Sequence, residues 1–462
     1  MDKEKTIMPS MDLACASEKS SKGWNRYCNG LIAAELKSII RYCKKVIQYA
    51  PTGADQGTLR RLLDEDMPVI ESPDELVAML KDHSDEPVSV VLNGTLNHDF
   101  DGQTLLQNLH QALPRAAVVN MVVYNSSLSW LYRLANWLGI RKGPAPTTFL
   151  NRLTLEHIAR LSGFQITRWR RCVYFPFYCF GVGSLINVTL NWIPIINRFS
   201  LANVVTLKPV KPLEANPSLS IVIPARNESG HIHKAISRLP EFPAPIEIIF
   251  VEGHSKDDTW SQIQQLQQNY NGPHTIKAYQ QTGKGKCDAV RLGFSKASGQ
   301  LLTILDADLT MPPEKLPLFY EAYVSGKADF INGSRLVYPM EGNAMRPLNW
   351  LGNRFFARAL SWVLDTPLTD SLCGTKLVSK ADYQRFAQWR YDFGDFDPFG
   401  DFELIFPAAQ LGLGVVDIPI RYGAREYGET NISRFRHGII LLKLTWIGFW
   451  KIKLGNVKGA KR

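Results

Sequence analysis

Short apolar runs alternate along this chain with stretches whose apolar residues recur at helical spacing. In the first half, the runs at 45–49, 65–71, 88–92, 116–124 and 164–168 predict strands. The stretches at 105–113 and 153–163 predict helices, the second stopped by Gly163. In the second half, strands are predicted at 219–223, 246–251, 275–279 and 301–305. Helices are predicted between them at 230–239, up to Asn269 behind a Ser255/Asp258 capping box, and at 283–297. Strand–helix alternation predicts a parallel sheet, and its recurrence predicts an α/β protein of two doubly wound domains.

The same pattern divides the chain. Residues 1–22 are polar and are expected to be a disordered tail. Residues 23–206 form the first domain, 207–217 a Pro-rich linker, and 218–433 the second domain. Residues 434–462 predict a basic amphipathic helix and tail, where Lys443, Lys451 and Lys453 interrupt any run long enough to cross a bilayer. Residues 172–197 carry no charge and are long enough to span a membrane. Pro176, Pro194 and the cations at both ends, Arg171 and Arg198, favour an interfacial or re-entrant hairpin, with a buried packing segment and a span as the alternatives.

Composition narrows the surroundings. The chain of 462 residues is 45% hydrophobic and carries a net charge of +10. Such a basic excess suits nucleic acid, anionic lipid or phosphate-bearing substrates. The aromatics beside the cations, Trp169, Trp446, Phe449 and Trp450, point to a membrane surface and away from nucleic acid. Seven cysteines show no metal or disulfide spacing, and residues 1–20 lack the apolar core of a signal peptide. The expected location is the cytoplasm, peripherally on the cytoplasmic face of the membrane.

Chemistry concentrates at the predicted strand ends, where ligands bind in open α/β sheets. Asp306 and Asp308 flank Ala307 just past the strand at 301–305, an arrangement suited to a hard divalent cation that also takes phosphate oxygens. Lys284, at a helix start, suits an anion. Arg335 and Arg425 offer forked donors for a diphosphate. Pro224, Arg226, Glu228 and Glu252 sit on the first two strand ends, where carboxylates can accept from a base N–H and a ribose hydroxyl. His231, His233 and His254 have no evident partner and are expected at the surface.

In chain order, IVIPARNES, IIFVEGHSKDDT, GKGKCDAVRLGF, LDADL, INGSRL, DSLCGTKLVSK and IPIRYGAREYGETNIS resemble the motifs of family 2 inverting glycosyltransferases of the GT-A fold, nearest to the dolichyl/polyprenyl-phosphate sugar transferases. The resemblance covers roughly 219–434. It implies a nucleotide-sugar donor, a lipid-linked acceptor, and Mg²⁺ or Mn²⁺ on Asp306 and Asp308. It places Asp401 at the usual general base and Asp370 on the acceptor side, with Asp395 and Asp397 as further candidates. An acceptor that is already an ionised phosphate needs no base. Two departures stand out: Glu252-Gly253 where two aspartates are usual, and Thr430-Asn431 where a Ser-Lys pair is usual, with Arg434 or Arg436 as possible replacements for the lysine.

The first half resembles a class I methyltransferase, notably in LTLEHIARLSGFQITRWRR. The turn after its first strand spaces Gly53 and Gly57 too far apart for the glycine-rich cofactor loop, so a degenerate domain is expected. The alternatives are a catalytically decayed membrane-associated scaffold, a bifunctional methyltransferase–glycosyltransferase, and a sugar nucleotidyltransferase. The last lacks its Gly-rich, basic loop in PARNESGH.

Overall fold

The structure, a computed structural model, describes residues 23–453 except 51–56, 65, 82–85, 140–144, 194–195, 340–346, 394–396, 398–399 and 424–433. The tail at 1–22, Arg425, Thr430, Asn431 and Asp395 therefore lie outside the described residues, as do the side chains of Arg434 and Arg436. The chain folds as two compact units, one drawn mostly from residues before 207 and the other from 207 onward together with Gly163–Arg168. Both are mixed α/β, each with its own sheet.

The first sheet comprises β1 (Lys45–Tyr49), β2 (Val69–Ile70), β3 (Val88–Asn93), β4 (Val118–Tyr124), β5 (Phe164–Cys172) and β6 (Ala202–Pro209), in the order β2-β1-β3-β4-β6-β5. β2, β1, β3 and β4 run parallel. The buried Asn120 fixes the sheet centre: its Nδ2 donates to Ser89 Oγ at 2.9 Å, and its Oδ1 accepts from Thr206 Oγ1 at 2.8 Å. A buried amide paired through both its nitrogen and its oxygen ties three strands to one register. Asp101 and Asn151 cap the helices Gly102–Ala112 and Arg152–Leu161, and Gly163, at φ +78°, ends the second.

The second sheet comprises β7 (Leu219–Ala225), β8 (Ile246–Glu252), β9 (Thr275–Gln280), β10 (Leu301–Ile304), β11 (Phe330–Ser334), β12 (Lys376–Ser379) and β13 (Val415–Pro419), in the order β13-β11-β12-β10-β7-β8-β9. From β7 the chain adds β8 and β9 on one side, then crosses to place β10 on the other side of β7, all parallel. That reversal opens a crevice at the carboxyl ends of β7 and β10. The core beneath packs Ile221, Ile223, Phe250, Leu305 and Phe319, all buried, each worth roughly 1.5–3 kcal/mol in area removed from water.

Several expectations need correction. The second sheet is not wholly parallel, because β12 runs antiparallel to β10 and β11. Of 65–71, only Val69–Ile70 is strand. β6 extends to Pro209, so the Pro-rich stretch begins as strand, and its remainder docks: Leu213 N donates to Val324 O at 2.8 Å and Tyr320 OH to Pro217 O at 2.9 Å. Ser255 and Asp258 form no capping box. Asp257 instead accepts from Thr259 N at 3.1 Å, while Ser255 Oγ accepts from Asn227 N at 3.0 Å. Within 172–197, β5 ends at Cys172 and a helix spans Val182–Leu190. No described helix is long and apolar enough to cross a membrane.

At the amino edge of the second sheet, Glu247 accepts from Ser220 Oγ at 2.5 Å, from Ser298 N and Oγ at 2.9 Å each, and from Lys277. The approach requires Gly299, since a Cβ there would meet Ser220 N at 2.7 Å. Burial alone would raise the Glu247 carboxyl. The bonds from Lys277, Ser220 and Ser298 outweigh it and hold the group at about 2 against an ordinary 4.5. A depressed folded value means stabilisation that is complete above pH 4.5 and fades as pH falls through about 2. Glu247→Gln is expected to cost about 1–3 kcal/mol near neutrality, with the gap from wild type closing between pH 4.5 and 2 in urea melts. A gap that ignores pH would contradict the assignment.

Candidate active site

The turn after β10 gathers the charge. Leu305 N still donates to Val222 O at 3.0 Å. Asp306 to Leu309 then closes a turn, with Leu309 N on Asp306 O at 3.1 Å and Leu309 at φ +51°. Ala307 and Leu309 point into the core, leaving Asp306 and Asp308 half-buried at the crevice. Asp308 Oδ1 accepts from Thr310 N at 3.2 Å and Thr310 Oγ1 at 2.8 Å, which fixes its rotamer.

The cation facing this turn is Lys286, not Lys284. Gly285, at φ +90°, redirects the chain between them. Lys284 is left exposed, while Lys286 opens the helix Lys286–Lys296 and pairs with Asp306 Oδ1. Burial alone would lower the Lys286 ammonium, but Asp306, Asp401 and Asp308 together hold it well above the ordinary lysine value. One ammonium thus senses three carboxylates. Gly374 lets its backbone lie against the pair, since a Cβ there would fall 2.2 Å from both Asp306 Oδ2 and Lys286 Nζ.

Asp401 sits at the start of the helix Phe402–Gln410, with its Oδ1 2.5 Å from the Nζ of Lys376, which is buried in β12. Asp397 caps this helix: its Oδ2 accepts from Phe402 N at 2.7 Å and Glu403 N at 3.2 Å. Glu403 Oε2 accepts from Arg291 Nε and from Arg390, each at 3.0 Å, and its Oε1 pairs with the second fork of Arg291.

Arg335 and Asp370 form a closed pair. Arg335 Nε donates to Asp370 Oδ2 at 2.7 Å, its second fork donates to Oδ1 at 3.0 Å, and its backbone N reaches Oδ2 at 3.1 Å. Leu372 N adds a bond to Oδ1 at 2.9 Å. Burial would raise the Asp370 carboxyl, but Arg335 and these bonds lower it. With 0% exposure, Asp370 positions Arg335 and is not placed to take a proton from an acceptor. The guanidinium also lies 5.4 Å from the ring centroid of Tyr422, whose phenol burial pushes up.

Among the nucleotide-side candidates, Pro224 ends β7 half-buried and Arg226 is exposed beside it. Glu228 is buried, with Oε2 3.0 Å from His231 Nδ1. His231 is therefore a buried partner of Glu228 and not a surface residue. His233 and His254 are exposed, and His254 Nε2 lies 3.0 Å from Gly283 O. Glu252, also buried, accepts from Ser255 N at 2.5 Å and Gln280 Nε2 at 3.0 Å. At Gly253 a Cβ would stand 3.2 Å from Gln281 Nε2, so the glutamine amide borders the space a side chain would fill.

Among the described residues no three His, Cys, Asp or Glu side chains group as a metal cage. Asp306 and Asp308 still fit Mg²⁺ or Mn²⁺ of the kind held by one or two carboxylates with substrate phosphates completing the shell. The sequence signal that could have found Lys286 was the second lysine of GKGK. Nothing in KLVSK marked Lys376 as the counter-ion of Asp401.

Residues 220–384 match glycosyl transferase family 2. A dolichol-phosphate mannosyltransferase of Pyrococcus furiosus is 36% identical over 122 residues, covering 26% of this chain and only 33% of that protein. One from Mycosarcoma maydis is 26% identical over 53% of this chain and 92% of its own length. An undecaprenyl-phosphate 4-deoxy-4-formamido-L-arabinose transferase of an Enterobacter species is 31% identical over 48% of this chain and 65% of its own. Among solved structures, a Mycobacterium tuberculosis glucosyl-3-phosphoglycerate synthase in complex with Mn²⁺, UDP-glucose and phosphoglyceric acid superposes with a TM-score of 0.38, at 18% identity over 50% of this chain and 81% of that one.

Asp370→Ala strands a buried guanidinium. It is expected to cost about 3–5 kcal/mol in chemical denaturation. A loss under about 1 kcal/mol would contradict the pairing described.

Proposed function

We propose that this chain, a glycosyltransferase by its family 2 domain, moves a sugar from a nucleoside diphosphate to a polyprenyl-phosphate-like, lipid-linked acceptor, with inversion. The observation that carries the reading is the half-buried carboxylate pair Asp306/Asp308 at the crevice between β7 and β10, faced by Lys286. The names of the relatives that act on dolichol or undecaprenyl phosphate support the acceptor class.

In this reading the base and ribose lie over the ends of β7 and β8. Pro224 and the exposed Arg226 are within reach there. Glu228 and Glu252 shape the floor, since His231, Ser255 and Gln280 already occupy their oxygens. The diphosphate lies over the turn after β10. Lys286, released from Asp306, neutralises its oxygens, and Arg335, held in place by Asp370, faces the same charge. Mg²⁺ or Mn²⁺ on Asp306 and Asp308 would act as a Lewis acid toward the leaving diphosphate. An acceptor phosphate oxygen attacks the anomeric carbon, forming the new C–O bond as the bond to the nucleoside diphosphate breaks. That oxygen is already ionised, so Asp401 is free to serve as the counter-ion of Lys376. A hydroxyl acceptor would instead call on Asp401 as base.

The C-terminal helix Arg434–Gly448 and its π-helical extension Phe449–Lys453 support peripheral contact with the cytoplasmic membrane face. Ile439, Leu442, Trp446 and Trp450 lie exposed at i, i+3, i+7 and i+11, one stripe of the helix. The opposite side packs inward: Lys453 Nζ donates to Trp362 O at 2.7 Å, and Phe449 stacks on Trp362 at 5.4 Å.

The first unit is, in the same proposal, a methyltransferase-like scaffold. The chain reversal that puts β2 and β3 on opposite sides of β1 supports the likeness, and the sparse glycines after β1 support the loss of cofactor binding. Saturable heat on titrating S-adenosylmethionine would overturn this part.

The direct experiment offers radiolabelled UDP-, GDP- and dTDP-sugars with Mn²⁺ to the full chain in vesicles containing a polyprenyl phosphate. Label is expected in the solvent-extracted lipid with one of them, and Asp308→Ala is expected to lower that rate by at least roughly 10²-fold. No lipid label from any donor would sink the acceptor class, and an Asp308→Ala enzyme as fast as wild type would sink the metal site.

A further inference from the structure

We propose that the first unit carries its own docking surface for an anionic lipid bilayer, built from the helix Ser129–Trp137 and the stretches 173–193 and 196–201. The helix turns Trp130, Leu134 and Trp137 outward at i, i+4 and i+7, so one face is apolar and exposed. In the neighbouring segment Phe180 is fully exposed, and Leu185 and Phe199 are exposed as well. Single exposed apolar residues are ordinary; a surface of large aromatics on two adjoining elements is not.

The surface is built and held. Asn187 is buried at its base, where its Oδ1 accepts from Tyr174 N at 2.6 Å and Phe175 N at 2.9 Å. Its Nδ2 donates to Phe175 O and Gly183 O, each at 2.9 Å, and to Tyr27 OH at 3.1 Å. The segment is stitched to the helix that presents the tryptophans: Asn125 Nδ2 donates to Arg198 O at 2.7 Å and Ser200 O at 2.8 Å, and Tyr132 OH to Leu201 O. At the tip, Cys179 (φ +42°) and Phe180 (φ +54°) both adopt left-handed backbone before Gly181. That conformation is unfavourable for L-residues, and here it projects a phenylalanine into solvent.

Charge selects the occupant. From residue 102 to residue 213 the chain contains one acid, Glu156, against twelve lysines and arginines. Glu156 is paired with Arg160 at 2.8 Å. Arg133 on the helix and Arg198 in the segment are exposed beside the aromatics. Aromatic side chains flanked by cations suit the headgroup level of an anionic bilayer. A second copy would set two basic surfaces face to face and be repelled. No described helix can span a membrane, so the surface lies in the interface. A lipid-linked acceptor gives the chain a reason to seek a bilayer, while the aromatic and cationic surface stands whether or not that acceptor is used.

The test is flotation of the full chain with phosphatidylcholine vesicles, with and without phosphatidylglycerol, in the absence of donor and metal. Wild type is expected to float with the anionic vesicles and to be released by salt. Trp130→Ser/Trp137→Ser/Phe180→Ser is expected to weaken partition by roughly tenfold or more with an unchanged melting temperature. Arg133→Glu/Arg198→Glu, which leaves the apolar residues in place, is expected to abolish the preference for anionic lipid. Wild type that ignores both vesicles, a triple variant that floats like wild type, or loss of flotation only in Trp446→Ser/Trp450→Ser would overturn the proposal. A chain that floats yet labels no lipid in the transfer assay would refute the lipid-acceptor reading and leave this one standing.

Discussion

Charge balance around the turn after β10 is the constraint on which the catalytic unit depends. Asp306, Asp308 and Asp401 act on one ammonium, that of Lys286, in a half-buried crevice. Like charges that close are unfavourable unless cations stand among them. Lys286 on Asp306 and the buried Lys376 on Asp401 fill that need. In the proposed reaction, a divalent ion with a diphosphate would take the place of Lys286 on the carboxylates, and the ammonium would turn to the phosphate oxygens.

The second layer of the site is positional. Asp370 spends its carboxylate on Arg335, so the guanidinium is held at a fixed place under Tyr422. Glu252 and Glu228 are likewise committed to protein partners at the ends of β7 and β8. Glu228, Glu252 and Asp370, which the sequence offers as ligand-side acids, each bond to protein groups in the fold.

How much of this was legible in the sequence follows from what periodicity can carry. The parallel core β7 to β10 announces itself by unbroken apolar runs, and the acids of LDADL fall where a strand must end. β12 escaped notice because it is four residues long, and its Lys376 is polar by type yet buried by pairing. β6 was hidden by the prolines that follow it. The choice between Lys284 and Lys286 turns on the backbone of Gly285, which no side-chain pattern records. His231 resembled a surface residue because its partner, Glu228, lies in an irregular turn.

The account centres on Asp306, Asp308 and Lys286 as one site for a metal-bound nucleoside diphosphate. Calorimetric titration of UDP and GDP into the full chain, with and without Mn²⁺, tests that most directly. The account predicts that at least one of them binds saturably, roughly tenfold or more tightly with Mn²⁺ than without, and that Asp306→Asn/Asp308→Asn removes the difference. Binding that is indifferent to Mn²⁺, or a metal effect that survives loss of both carboxylates, would contradict it.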